Sequence, residues 1–238
     1  MVEIKAFICG CGHSGTTIVA RIMGTHPEVF WPAFETRIFL AEYQKAQWDY
    51  LAILSVAAKS GKRALIEKTP HHLYRLDLIR KIVPGAKFII MVRDGRDVAA
   101  SFIKRYGNAE AGIQRWLEEA RISLREKDRP DVLLVRYEDF VSDPAVTIDR
   151  ICSFIGLTVH PAMLDFYKQP VMWGKQIQLR KGTGLEGPEH TALRNWQVNQ
   201  PIFDGRGIWK DQLSPEQIAE IEDGLGRALM QAFDYLAP

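Results

Sequence analysis

The chain has 238 residues, 47% hydrophobic and 25% charged, and its 31 basic side chains are nearly cancelled by 29 acidic ones for a formal net charge of +2. That apolar content excludes a disordered chain. No charge-free run of about 18–20 residues offers a membrane span, and the balanced charge disfavours an electrostatic nucleic-acid binder.

At roughly 100–200 residues per domain, one domain over 1–238 is the simplest expectation. Residues 6–9 read as a buried strand leading into a Gly-rich turn. A helix over 16–23 follows, with Ile18, Val19, Ile22 and Met23 on one face, stopped by Gly24 and Pro27. Residues 64–66 form a second short strand, and 73–83 have helical spacing ended by Pro84-Gly85. The unbroken apolar run 87–92 suits a parallel strand covered on both faces. Helices over 96–106 and 109–127, a strand over 132–135 and a helix over 144–155 behind Asp143-Pro144 complete the pattern. Arg115, Arg121 and Arg125 are expected on a solvated face. From 170 to 210 the periodicity dissolves into an irregular segment of the kind that serves as a lid or binding loop. Ser214-Pro215-Glu216-Gln217 is a capping box opening a last helix with Ile218, Ile221, Leu225 and Leu229 as its stripe. Strands alternating with helices predict an α/β fold, a parallel sheet flanked by helices.

Cys9, Cys11 and Cys152 form neither a disulfide framework nor a zinc site and are expected in the core. MVEIKAFICG lacks the basic flank and apolar length of a secretion signal, so a reducing cytoplasm is the expected compartment.

The segment Gly10-Cys-Gly-His-Ser-Gly-Thr-Thr17 follows a strand and opens a helix, the setting of a phosphate-cradling loop. Its glycines have the spacing of the nucleotide-triphosphatase loop, but Thr16 stands where that loop has lysine. A second anchor is KFIIMVRDGRDVAAS, 87–101. It puts Arg93 at the carboxyl edge of a strand, where open α/β folds bind ligands, and Ser101 two turns into the next helix. A guanidinium fork and a compact hydroxyl suit a phosphate; a surface Arg93 paired with Asp94 or Asp97 is the plainer alternative. A rival reading makes 88–94 a Walker B strand with Asp94 holding magnesium, as in a nucleotide kinase.

Together the two segments resemble the P-loop-like sulfotransferases that use 3′-phosphoadenosine 5′-phosphosulfate (PAPS). By that match Gly12, Ser14, Gly15, Thr16 and Thr17 would hold the 5′-phosphate, and Arg93 and Ser101 the 3′-phosphate. Arg136-Tyr137-Glu138-Asp139 resembles the family's "YED" segment, which would put Tyr137 by the nucleotide. The protein-tyrosine sulfotransferases are the most similar group. Glu35-Thr36-Arg37 resembles their Glu-Thr-Arg, implying Glu35 as general base, and Lys68-Thr69-Pro70 resembles their Lys-Asp-Pro, implying a catalytic Lys68. His71 and His72 are the alternative bases. His13 replaces the family's loop Lys or Arg and is expected to stabilise the leaving phosphate with Lys68. Gln200 replaces a lysine in 197–201. Arg180, Lys181 and Gly182 resemble the Arg-Lys-Gly that cytosolic members place on the 3′-phosphate, and residues 205–210 compete for that role.

The resemblance implies sulfuryl transfer from PAPS, without a metal, to a hydroxyl of a small molecule, glycan or peptide; it is silent on oligomeric state. A magnesium-dependent kinase and a non-catalytic nucleotide-binding module remain alternatives.

Overall fold

The computed structural model describes residues 2–172 and 187–237. Five parallel strands make one sheet: β1 (Ile4–Gly10), β2 (Val29–Phe30), β3 (Ala64–Lys68), β4 (Lys87–Val92) and β5 (Val132–Arg136), in the order β2-β3-β1-β4-β5. Parallel pairing requires crossovers, and the helices supply them: α1 (Thr16–Met23), α2 (Tyr43–Lys59), α3 (Leu76–Ile82), α4 (Gly95–Tyr106) and α5 (Ala109–Glu126). After β5 come α6 (Tyr137–Ser142), α7 (Pro144–Ile155), α8 (Gly187–Gln197), α9 (Pro215–Ile221) and α10 (Gly224–Ala232).

Alternation along β1 divides the core. Ala6 and Ile8 face α1 and α7, packing with Val19, Ile22, Ile148 and Ile151, whereas Phe7 and Cys9 face Phe39, Tyr50 and Ile79. β4 is buried on both faces because helices cover both, as its unbroken apolar run requires. A third cluster joins α4 and α5 to α9 and α10 through Ala99, Trp116, Ile221 and Leu229. The three cysteines are free and buried.

Three expectations are corrected, and one helix was not foreseen. The 73–83 helix begins as a 3₁₀ turn, Pro70–Arg75, and becomes α-helical only at Leu76. Residues 43–59 form a helix that periodicity did not announce. The reason is physical: α2 buries Ala46, Tyr50 and Ala57 but leaves Trp48, Leu51 and Val56 exposed, so its apolar pattern has no single stripe. Part of the stretch read as irregular is α8, polar in sequence yet burying Ala192, Asn195 and, just beyond its end, Val198. The last helix is two, broken after Ile221 where Gly224 takes a φ of +46° and a Cβ on Gly226 would lie 2.0 Å from the Ile221 carbonyl oxygen. No helix among the described residues is long and apolar enough to cross a membrane.

Candidate functional site

Parallel strands bring their carboxyl ends to one edge, and the register sets what meets there. Ile8 pairs with Lys68, Gly10 with Met91 and Val92 with Arg136, so the loop after β1, the end of β3, Arg93 and Tyr137 converge. The chain leaves β1 through Gly10, where a Cβ would lie 2.2 Å from the Met91 carbonyl oxygen. His13 and Gly15 are left-handed, with φ of 68° and 84°. Such turns aim successive amides inward as an anion nest, and the amide end of α1 continues it. At Gly15 a Cβ would meet the Tyr137 ring at 2.9 Å, so loop and ring are in contact only because no side chain intervenes.

Lys68 is the centre of the site. Fully buried, its Nζ lies 2.7 Å from Glu35 Oε1 and donates to Thr17 Oγ1 at 3.1 Å. Burial pulls its ammonium down to about 8, with Glu35 opposing and Arg194 adding to the fall. Burial works against ionisation of Glu35 too, but the Lys68 charge and hydrogen bond outweigh it, and the carboxyl sits below its ordinary value. Glu35 is therefore a carboxylate at neutral pH, with its side chain 28% exposed and open to an incoming proton donor. Because Thr17 accepts from Lys68, its own proton is left to point at a phosphate oxygen.

His13 links the two phosphate motifs. Its Nδ1 lies 2.8 Å from Ser101 Oγ, and its carbonyl accepts from Arg93 Nη1 at 3.0 Å. Burial, then the charges of Arg194, Arg105, Arg115 and Arg93, draw its imidazole down to about 3. His13 is thus neutral, a hydrogen-bonding strut where the resembling loops carry a Lys or Arg. Arg93 stacks 4.4 Å over the Tyr137 ring and donates through Nη2 to the Gly205 carbonyl. Its buried Nε has no partner among the described residues, leaving a donor for an anion. The Tyr137 hydroxyl accepts from the Gly205 amide at 3.1 Å and donates to the Phe203 carbonyl at 3.2 Å. Asp97 holds the amides of Gly207 and Trp209, at 2.9 and 3.2 Å. Residues 203–209 are therefore tied to Arg93, Asp97 and Tyr137, whereas Arg180, Lys181 and Gly182 lie outside the described residues. Arg206 faces outward, paired with Asp204.

The other residues singled out in the sequence differ in how they are held. The Gly12 amide donates to the buried Glu119 Oε2 at 3.0 Å, and Arg115, bound to the same carboxylate, lies against Gly12. Arg115 is thus a loop support and not part of a solvated face; Arg121 and Arg125 are exposed. Ser14 and Thr16 are buried within the turn. His72 is buried with Nδ1 2.8 Å from Glu67 Oε2, and exposed His71 stacks on Tyr74. Arg136 is spent on Asp139 and the C-terminal Asp234 carbonyl. Asp94, the magnesium ligand of the kinase reading, caps α4 and pairs with Arg96 at 2.6 Å.

Sequence reasoning missed Arg194. Its guanidinium, drawn down to about 10 by burial and by Arg105, is among the charges acting on Glu35, Lys68 and His13. It sits on α8, inside the stretch without periodicity, and its only local signal was a lone arginine in GPEHTALRNWQ.

The description "Sulfotransferase family" matches residues 38–161, more than half of the chain, and the chain belongs to that family. The match contains Lys68, Arg93, Ser101 and Tyr137; the phosphate loop and Glu35 precede it. A putative protein-tyrosine sulfotransferase of Caenorhabditis briggsae is 27% identical over an alignment of 199 positions that covers 70% of each chain. The chain spans 48% to 66% of several other curated relatives. Among solved structures, the sulfotransferase domain from the Synechococcus PCC 7002 olefin synthase is similar at TM-score 0.71 and 20% identity, over 100% of this chain and 96% of that one. Mouse sulfotransferase SULT7A1 complexed with PAP follows at TM-score 0.63 and 16% identity, over 99% and 86%. The architecture is the P-loop-like sulfotransferase fold.

Proposed function

We propose that this sulfotransferase moves a sulfuryl group from PAPS to a hydroxyl acceptor by in-line displacement, with Glu35 as general base. The observation that carries the reading is the buried Lys68 held between Glu35 and Thr17 at the mouth of the phosphate loop. Glu35 takes the acceptor proton as the acceptor oxygen attacks sulfur. The bond from sulfur to the 5′-phosphate oxygen breaks, and Lys68, the loop amides and the Thr16 and Thr17 hydroxyls stabilise the charge left there. Arg93 and Ser101 take the 3′-phosphate, with His13 keeping them in register. Names of relatives favour a phenolic hydroxyl such as that of a tyrosyl peptide.

Titration with 3′,5′-bisphosphoadenosine (PAP), the donor's product, tests the reading. Tight binding of the bisphosphate and weak binding of ATP with magnesium are expected; the reverse order would sink it. The pH profile supplies a second check. Lys68 must be charged to stabilise the leaving phosphate, so kcat/KM is expected to fall as pH rises through about 8. Glu35 stays ionised to below the ordinary carboxylate range, so no acid limb appears near neutrality. Bound donor, being anionic, favours the ammonium, so the alkaline limb of kcat lies at higher pH than that of kcat/KM. A kcat/KM that stays level from pH 7 to well above pH 9 would contradict Lys68 as the charged group.

A further inference from the structure

Glu35 lies on a segment with no regular structure of its own until a 3₁₀ turn at Ile38–Leu40. A catalytic base on a free loop would sample many positions, yet this segment is strapped residue by residue. Glu67 Oε1 accepts from the Thr36 amide at 3.2 Å, the Thr36 hydroxyl at 2.7 Å and the Thr69 hydroxyl at 2.7 Å. The Arg37 amide donates to Thr69 Oγ1 at 3.2 Å, and the Phe39 amide to His72 Nε2 at 3.4 Å. Arg75 holds the carbonyls of Phe39 and Ala41 at 3.0 and 3.1 Å. Phe39 closes the strap from below, its ring against Phe7, Tyr50 and His72.

Adjacent residues of β3 thus take hold of adjacent residues of the loop: Lys68 binds Glu35, and Glu67 binds Thr36. Glu67 is fully buried, where an ionised carboxyl is costly unless richly hydrogen-bonded. Burial raises its pKa, but His72, Thr36 and Thr69 hold it below the ordinary range, so it stays an acceptor. Glu67 meets neither Lys68's partners nor the phosphate loop in these contacts. What it fixes is the main chain next to the base.

We propose that Glu67 is the positioning residue for Glu35, acting through the Thr36 amide and hydroxyl to hold the base in place beside Lys68. This rests on Glu35 being the base. A misplacement of about 1 Å at a reacting group costs on the order of 100-fold in rate, so the strap is expected to act on kcat and not on donor affinity.

The test is a set of Thr36 variants read in two backgrounds. Thr36→Val keeps the shape and removes the hydroxyl donor. It is expected to lower kcat on the order of 10- to 100-fold with the affinity for 3′,5′-bisphosphoadenosine unchanged, and Thr36→Ser is expected to restore the rate. On a Glu35→Gln background Thr36→Val should cost nothing further, because the base it positions is gone. Glu67→Gln, similar in size and still an acceptor, is the second variant, with a kcat loss that also vanishes on that background. Unchanged kcat in both Thr36→Val and Glu67→Gln would overturn the proposal. So would equal losses with and without Glu35, which leave the base reading standing. Full activity in Glu35→Gln alone would instead remove the base reading itself.

Discussion

Glu35→Gln is expected to lower kcat by about 10²–10⁴-fold, the usual worth of a positioned general base, while the bisphosphate binds as before. Glutamine keeps the shape and still accepts from Lys68, so the loop stays in place. The substitution has a second effect that must be separated from the first. Lys68, already drawn down to about 8 by burial, loses the carboxylate that opposes that fall. Its pKa drops further, and part of the lost rate at neutral pH could come from an uncharged lysine. Assaying the variant at lower pH divides the two. Acid recharges Lys68 but supplies no base, so the rate should stay low; recovery of the wild-type rate would show that Glu35 serves only to keep Lys68 charged.

Lys68→Met is expected to cost about 10²–10³ in kcat, the range for removing one preorganised donor to developing negative charge. Methionine fits the buried stem without introducing a polar atom, so a folded protein is expected. The carboxylate now lacks the counter-charge that outweighed burial, and its pKa must rise. An acid limb should therefore move toward neutrality in the profile of the residual activity. A variant with near-normal kcat, or with Glu35 titrating where it did before, would show that the pair does not work as described.

The pieces legible in sequence were those written in short, local patterns. The run 87–92 stated its own burial, and Asp143-Pro144 and Ser214-Pro215 stated helix starts, because capping and strand burial depend on neighbours in the chain. Arg93 and Ser101 were legible from their place after a buried strand, Glu35 and Lys68 only by resemblance, and the fold brings Glu35 to Lys68 and joins Arg93 to Ser101 through His13. That His13 would be neutral was not legible. Its charge state depends on burial and on four arginines from three helices and a strand end. The Glu119 carboxylate beneath Gly12 and the Glu67 strap were equally hidden, since each joins segments 31 to 107 residues apart. Arg194 and α8 were missed because a helix that buries a small residue and an amide carries little periodic signal.

The bond pair made by the Tyr137 hydroxyl has a consequence for the order of synthesis. Its two main-chain partners lie 66 and 68 residues further along the chain. The sheet and its loop are complete in sequence once β5 has been made, but the main chain that closes on Arg93 is not. A nascent chain that has reached α7 carries every strand and no finished nucleotide-side wall. Phe203 and Gly205 are made after every strand, so the wall that closes on Arg93 can form only after the sheet's whole sequence exists.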